Sequence, residues 1–92
     1  MLESYIEKKC CRMAATRGWL VRKLVFPGRS GAPDRMMLKS GVIVLVEFKR
    51  PGEGPRLLQQ REINRLRKAG ANVIVADSVA AFKNGMEAYG FA

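Results

Sequence analysis

Six residues without a polar side chain, Gly41-Val42-Ile43-Val44-Leu45-Val46, run directly into Glu47-Phe48-Lys49. A run so rich in β-branched residues reads as a strand, and its lack of polar alternation reads as a buried one. What ends the run narrows the choice of fold further. Side chains alternate along a strand, so Glu47 and Lys49 project from one face. Burying an acid and a base together costs free energy unless they pair or hold a ligand. Pro33-Asp34 lies just before the preceding strand, with Asp34 thirteen residues ahead of Glu47. A hairpin between them brings the two carboxylates together across the sheet.

The rest of the chain divides readily. Residues 2–17 read as a helix with Leu2, Ile6, Cys10 and Met13 recurring at helical spacing, and Gly18 is placed to stop it. Trp19 to Phe26 is a strand candidate, followed by a Gly- and Pro-rich loop over 27–33. Residues 34–38 and 42–49 form two strands joined at Lys39-Ser40-Gly41. A second loop over 50–56 leads into a helix over about 57–69, with Leu58, Ile63 and Leu66 inward and Gln60 and Glu62 solvated. Residues 72–76 make a short strand, and Ser78 caps a last helix running to about Tyr89. The order αβββαβα predicts an α/β sandwich around a small mixed sheet. Ninety-two residues leave room for one domain, 1–92, and its small core makes an oligomer reasonable.

Composition narrows the function. The net charge is +9, and sixteen of the seventeen Lys and Arg residues lie between Lys8 and Lys68. Such an excess, spread over loops and several elements, points to a polyanion such as DNA rather than a membrane surface. No apolar run approaches the ~18 residues that cross a bilayer, and the first residues lack a signal-peptide pattern, so a cytoplasmic location is expected. There is no histidine, which removes histidine catalysis and most zinc sites. The adjacent Cys10 and Cys11 point in different directions on a helix and read as buried, reduced thiols.

Two carboxylates and a lysine suit one chemistry in particular. Hydrolysis of a phosphodiester calls for a divalent metal that gathers phosphate and water, activates the water and offsets developing charge. Mg²⁺ takes hard oxygen ligands, usually one or two carboxylates with waters and phosphate. Asp34, Glu47 and the backbone carbonyl of Phe48 form such a set, and Lys49 stands ready to hold the water or the phosphate's charge. Glu3 and Glu7 share a stripe of the first helix. Gln59 precedes Ile63 by four residues, which puts an amide on an inward face; it either caps its own helix or supports the site.

The run Glu7 … Gly31-Ala32-Pro33-Asp34 … Val46-Glu47-Phe48-Lys49 … Gln59 resembles the VRR-NUC domain, a branch of the PD-(D/E)xK nuclease superfamily. The likeness spans essentially the whole chain and is nearest to the small stand-alone versions of phages and bacteria. It implies a restriction-endonuclease-like fold and Mg²⁺- or Mn²⁺-dependent DNA cleavage. For the stand-alone members it also implies homodimers acting on branched DNA such as four-way (Holliday) junctions, in the host cytoplasm for a phage protein. By the same resemblance Asp34 and Glu47 are metal ligands, Lys49 the catalytic lysine, Gln59 the supporting glutamine and Glu7, in preference to Glu3, the first helix's acid.

Other readings stand beside these. Glu47 and Lys49 form a structural ion pair, or Asp34 a simple turn, in a DNA-binding module without catalysis. The same site also serves a flap, nicking or non-specific nuclease. Arg29, Arg50, Arg56 and Arg61 are the candidate DNA contacts, with a solvated surface as the alternative for each.

Overall fold

The computed structural model describes residues 2–91 and contains seven elements in the expected order. They are α1 (Glu3–Thr16), β1 (Leu20–Lys23), β2 (Arg35–Lys39), β3 (Val42–Phe48), α2 (Leu57–Lys68), β4 (Asn72–Ala76) and α3 (Val79–Glu87). The four strands make one mixed sheet in the order β1-β2-β3-β4. β1, β2 and β3 form an antiparallel meander, and β4 joins β3 in parallel after crossing over through α2.

The β2–β3 hairpin turns on only two residues, because Lys39 pairs directly with Val42. Ser40 and Gly41 both adopt positive φ, at 51° and 82°. That geometry matches the strand twist and fixes the register of the pair. One step beyond the last pair, Arg35 with Val46, Asp34 comes opposite Glu47.

Alternation along β3 sorts its side chains between two layers. Val44, Val46 and Phe48 are completely buried in a core with Ile6, Cys10 and Ala14 of α1 and Phe82 and Met86 of α3. Glu47 belongs to the opposite face, where α2 covers β4 and buries Ile63 and Val73. Phe82 anchors the first layer: its ring lies 5.9 Å from Phe48 and 5.4 Å, edge-on, from Phe91. α1 ends as Gly18 predicts. Gly18, at φ 87°, lets its own N–H reach the Ala15 carbonyl and the Trp19 N–H reach that of Ala14. This is the Schellman closure that a left-handed residue permits. Ser78 caps α3 as expected, its Oγ accepting from the Ala81 N–H at 3.0 Å.

Several expectations need correction. The first strand is only Leu20–Lys23: the Trp19 N–H is taken up in closing α1, and one further bond, from Leu24 N–H to the Asp34 carbonyl, ends the pairing. Leu2 is exposed, and the buried stripe of α1 is Ile6, Cys10 and Ala14. On α2, Leu58 is 60% exposed whereas Glu62 is buried, the reverse of their predicted roles. The first turn of α2 borders a cleft rather than the core, so its leucines stay exposed. Cys10 and Cys11 are both free thiols, but only Cys10 is buried as expected and Cys11 is half-buried; burial pushes Cys10 up to about 12, which leaves it protonated and inert. Among the described residues no helix is long and apolar enough to cross a membrane.

Replacing Phe82 with Ala removes the ring that joins sheet, α3 and the C-terminal residues. A loss of about 3–5 kcal/mol is expected, a large share of the stability of a small domain. Urea unfolding measures it; a midpoint close to the parent's would show that the core does not depend on this ring.

Candidate active site

The end of β3 brings an acid, a base and an amide into one chain of hydrogen bonds. Gln59 Nε2 donates to Glu47 Oε2 at 2.9 Å, while Gln59 Oε1 accepts from Lys49 Nζ at 2.6 Å. Lys49 Nζ also lies 3.3 Å from Glu47 Oε2. Gln59 therefore fixes both ends of the Glu-x-Lys pair with one amide. It also accepts from the Arg56 N–H at 3.4 Å, so the capping and supporting roles expected for it coincide. The loop before β2 makes this reach possible. Gly31, at φ 85°, packs so closely on α2 that a Cβ there would come within 2.8 Å of the Gln59 Cα. No larger residue fits at that contact without moving the loop or the helix.

Asp34 closes the other side. Its Oδ2 accepts from the Phe48 N–H at 2.8 Å. An extended residue turns its N–H and C=O toward the same edge, so the Phe48 carbonyl is on Asp34's side of the strand. Glu47 is 2% exposed, and its Oε1 is a buried oxygen with no hydrogen-bond partner. Burial and the neighbouring Asp34 charge push its carboxyl up to about 7. Burial likewise raises Asp34, although the Phe48 N–H partly offsets this. A buried carboxyl beside a half-buried one is repelled when both are ionised, a cost that a bound cation would relieve.

Comparison with known proteins bears on the fold and the family. No family model matches the chain. It is 46% identical over 77 residues to "Putative nuclease p44" of Acyrthosiphon pisum secondary endosymbiont phage 1, covering 83% of each protein. Its fold matches a solved structure described as "VRR_NUC domain" with a TM-score of 0.86 and 42% identity, over 95% of this chain and 96% of that one. The chain belongs to the VRR-NUC family. With the family come the restriction-endonuclease-like fold and a nuclease activity.

The VRR-NUC site opens onto a cleft of about 880 Å³, whose lining includes Glu3, Lys49, Arg50, Arg56 and Gln59. Glu3, the alternative first-helix acid, thus faces this opening. Glu7 does not line it and is paired beside Asp34: its Oε2 accepts from Arg35 Nε at 2.7 Å. Both acids still act on Asp34 through space, Glu7 the more strongly. Sequence reasoning missed Arg35, although its position directly after Asp34 was a signal. Of the four candidate DNA contacts, Arg50 and Arg56 border the cleft, with Arg50 also paired to Glu53 at 2.9 Å. Arg61 is exposed on α2. Arg29 instead reaches Glu62 at 3.0 Å.

Among the described residues no three Asp, Glu, Cys or His side chains gather as a metal-binding cluster. The donors that do fit a hard cation are Asp34, the unpartnered Glu47 Oε1 and the Phe48 carbonyl. That set is short of an all-protein cage and suits Mg²⁺ or Mn²⁺, which keep places for water and phosphate.

Glu47 makes a pH signature. The folded protein holds this proton to higher pH than the unfolded chain, so its stability contribution is full below about 4.5 and falls away as pH climbs to about 7. The loss is at most about 3 kcal/mol. Glu47→Gln should therefore melt higher than the parent at pH 8 without divalent metal, and the gap should close by pH 4. Added Mn²⁺ should raise the parent's melting temperature and leave the variant's unchanged. Parallel melting curves across pH would sink the assignment of that shift to Glu47.

Proposed function

We propose that this VRR-NUC domain is a Mg²⁺- or Mn²⁺-dependent, structure-specific DNA endonuclease that acts on branched DNA, four-way junctions in particular, as a homodimer. The observation that carries the chemical part is the partnerless buried Oε1 of Glu47 beside Asp34. Two raised carboxyls are a costly arrangement that a divalent cation relieves. Such an ion supplies Lewis acidity and an activated water when bound. The chain's own residues do the rest. Lys49, kept in place by Gln59, offers a positive charge to the phosphate or its attacking water. Glu47 accepts from Gln59, which keeps its carboxylate oriented behind the cleft-lining Lys49 and Gln59. Arg50 and Arg56 at the opening draw in the phosphate backbone, and the +9 charge concentrates DNA near it.

The homodimer follows from the substrate. A junction needs two symmetric cuts, and a domain with one site makes them only by pairing. β1 forms one edge of the sheet, and Leu20 in it and Val25 just after it are exposed apolar residues, which suits pairing with a second copy.

Labelled junction, flap, duplex and single-stranded DNA, each incubated with and without Mg²⁺ or Mn²⁺, test the proposal. Asp34→Asn and Lys49→Ala should each lower cleavage by about 100-fold or more while junction binding stays near the parent's. Metal-independent cutting, or undiminished cutting by both variants, overturns the assigned chemistry. Binding without any cutting returns the protein to the non-catalytic reading.

Sedimentation velocity, run on the protein alone and with junction DNA, checks assembly separately. The expected species carries two copies per junction. A strict monomer that still cuts both strands symmetrically would remove the dimer.

A further inference from the structure

Glu62 is buried on a helix whose neighbouring side chains mostly face water, and the catalytic arrangement does not use it. A single oxygen, Oε1, accepts from Arg29 Nη2 at 3.0 Å and from Arg65 Nε and Nη2 at 3.2 and 3.1 Å. The Arg29 hydrogen bond, with help from Arg65, holds its carboxyl below the usual range despite burial. The Arg29 and Arg65 side chains are more than half exposed, at 54% and 59%, while the side chain of the acid between them is 8% exposed. Each guanidinium has five N–H donors, and one carboxylate oxygen occupies few of them. The trio sums to a single positive charge, carried on two largely exposed side chains.

Those donors border a depression of about 240 Å³ that Gly28, Ser30 and Leu58 complete. Ser30 and Leu58 also line the catalytic cleft, so the two hollows share a wall. Leu58, exposed on that wall, is apolar.

We propose that the Arg29–Arg65 pair, positioned by buried Glu62, is a second anion subsite that takes the backbone phosphate neighbouring the scissile one on the same DNA strand. The inference rests on the DNA-cleaving reading above. A strand leaving Lys49 and Gln59 passes over the Ser30–Leu58 wall, where the leucine meets a deoxyribose, the apolar unit between two phosphates. Beyond it, guanidinium forks match phosphate oxygens in shape and charge. Glu62 lowers the local charge by one but orders two long side chains in advance, which reduces what binding must spend on ordering them. Arg29 and Arg65 are binding residues, and Glu62 is a positioning residue.

Fluorescence anisotropy with labelled junction DNA, without divalent metal and over a series of salt concentrations, tests the subsite in the full chain. For Arg65→Ala the slope of log affinity against log salt should shrink by about 0.7–0.9, the signature of one lost phosphate contact. Arg65→Lys should keep the slope. Glu62→Leu raises the net charge by one yet should weaken binding, whereas a merely electrostatic surface would bind more tightly. Thermal melts of all three variants confirm that each is folded. An unchanged slope in Arg65→Ala, with a parent protein that binds and cuts DNA, overturns the subsite and leaves the nuclease reading intact. Tighter binding by Glu62→Leu overturns the positioning role. A parent protein that neither binds nor cuts DNA overturns the reading beneath both.

Discussion

One amide holds the functional end of this molecule together. Gln59 spans Glu47 and Lys49 and ties a helix to a strand end that would otherwise present a buried charge pair with little support. Everything around it serves that contact. Gly31 lets the loop press against α2, Pro33 is buried behind it, and the parallel crossover sets α2 over the Glu47 face. The arrangement is strained electrostatically rather than sterically. A buried carboxyl, Glu47, sits beside a half-buried one, Asp34, and the cation next to Glu47, Lys49, is shared with a neutral amide. Glu47 therefore costs the fold stability, as is common where a site is kept ready for a ligand.

Much of this was legible in the residues. The unbroken apolar run predicted β3, and strand alternation placed Glu47 and Lys49 on one face. Gly18 and Ser78 marked helix ends that the backbone hydrogen bonds confirm. The meeting of Asp34 with Glu47 followed from a short turn. These features share a cause: each depends on neighbours close in sequence, where periodicity and local geometry decide the outcome.

What the residues did not disclose depends on distant segments. Leu58 and Glu62 both lie near Gln59 on α2, and an apolar residue is the natural choice for burial. The first turn of α2 borders the cleft instead of the core, so Leu58 has nothing to cover it. Glu62 is tolerated inside because Arg29, thirty-three positions away, arrives from the 27–33 loop. Arg35 seizing Glu7 across twenty-eight positions is the same kind of event. Periodicity ranks residues by hydrophobicity along one helix; it carries no information about which cation another segment will deliver.

The two-residue turn at Ser40-Gly41 has a consequence beyond its own geometry. Asp34 and Glu47 lie at the open ends of the two strands it joins, so the turn acts as the ruler that sets their separation. Slipping the pairing by one residue would flip one strand's side chains to the other layer. Hydrophobic content would be unchanged, but one carboxylate would land in the aromatic layer with Phe82. Insertions in the long loops over 24–34 and 49–56 can be absorbed; here the carboxylate pair is measured out by a connection of two residues, and its spacing is inherited from a turn at the far end of both strands.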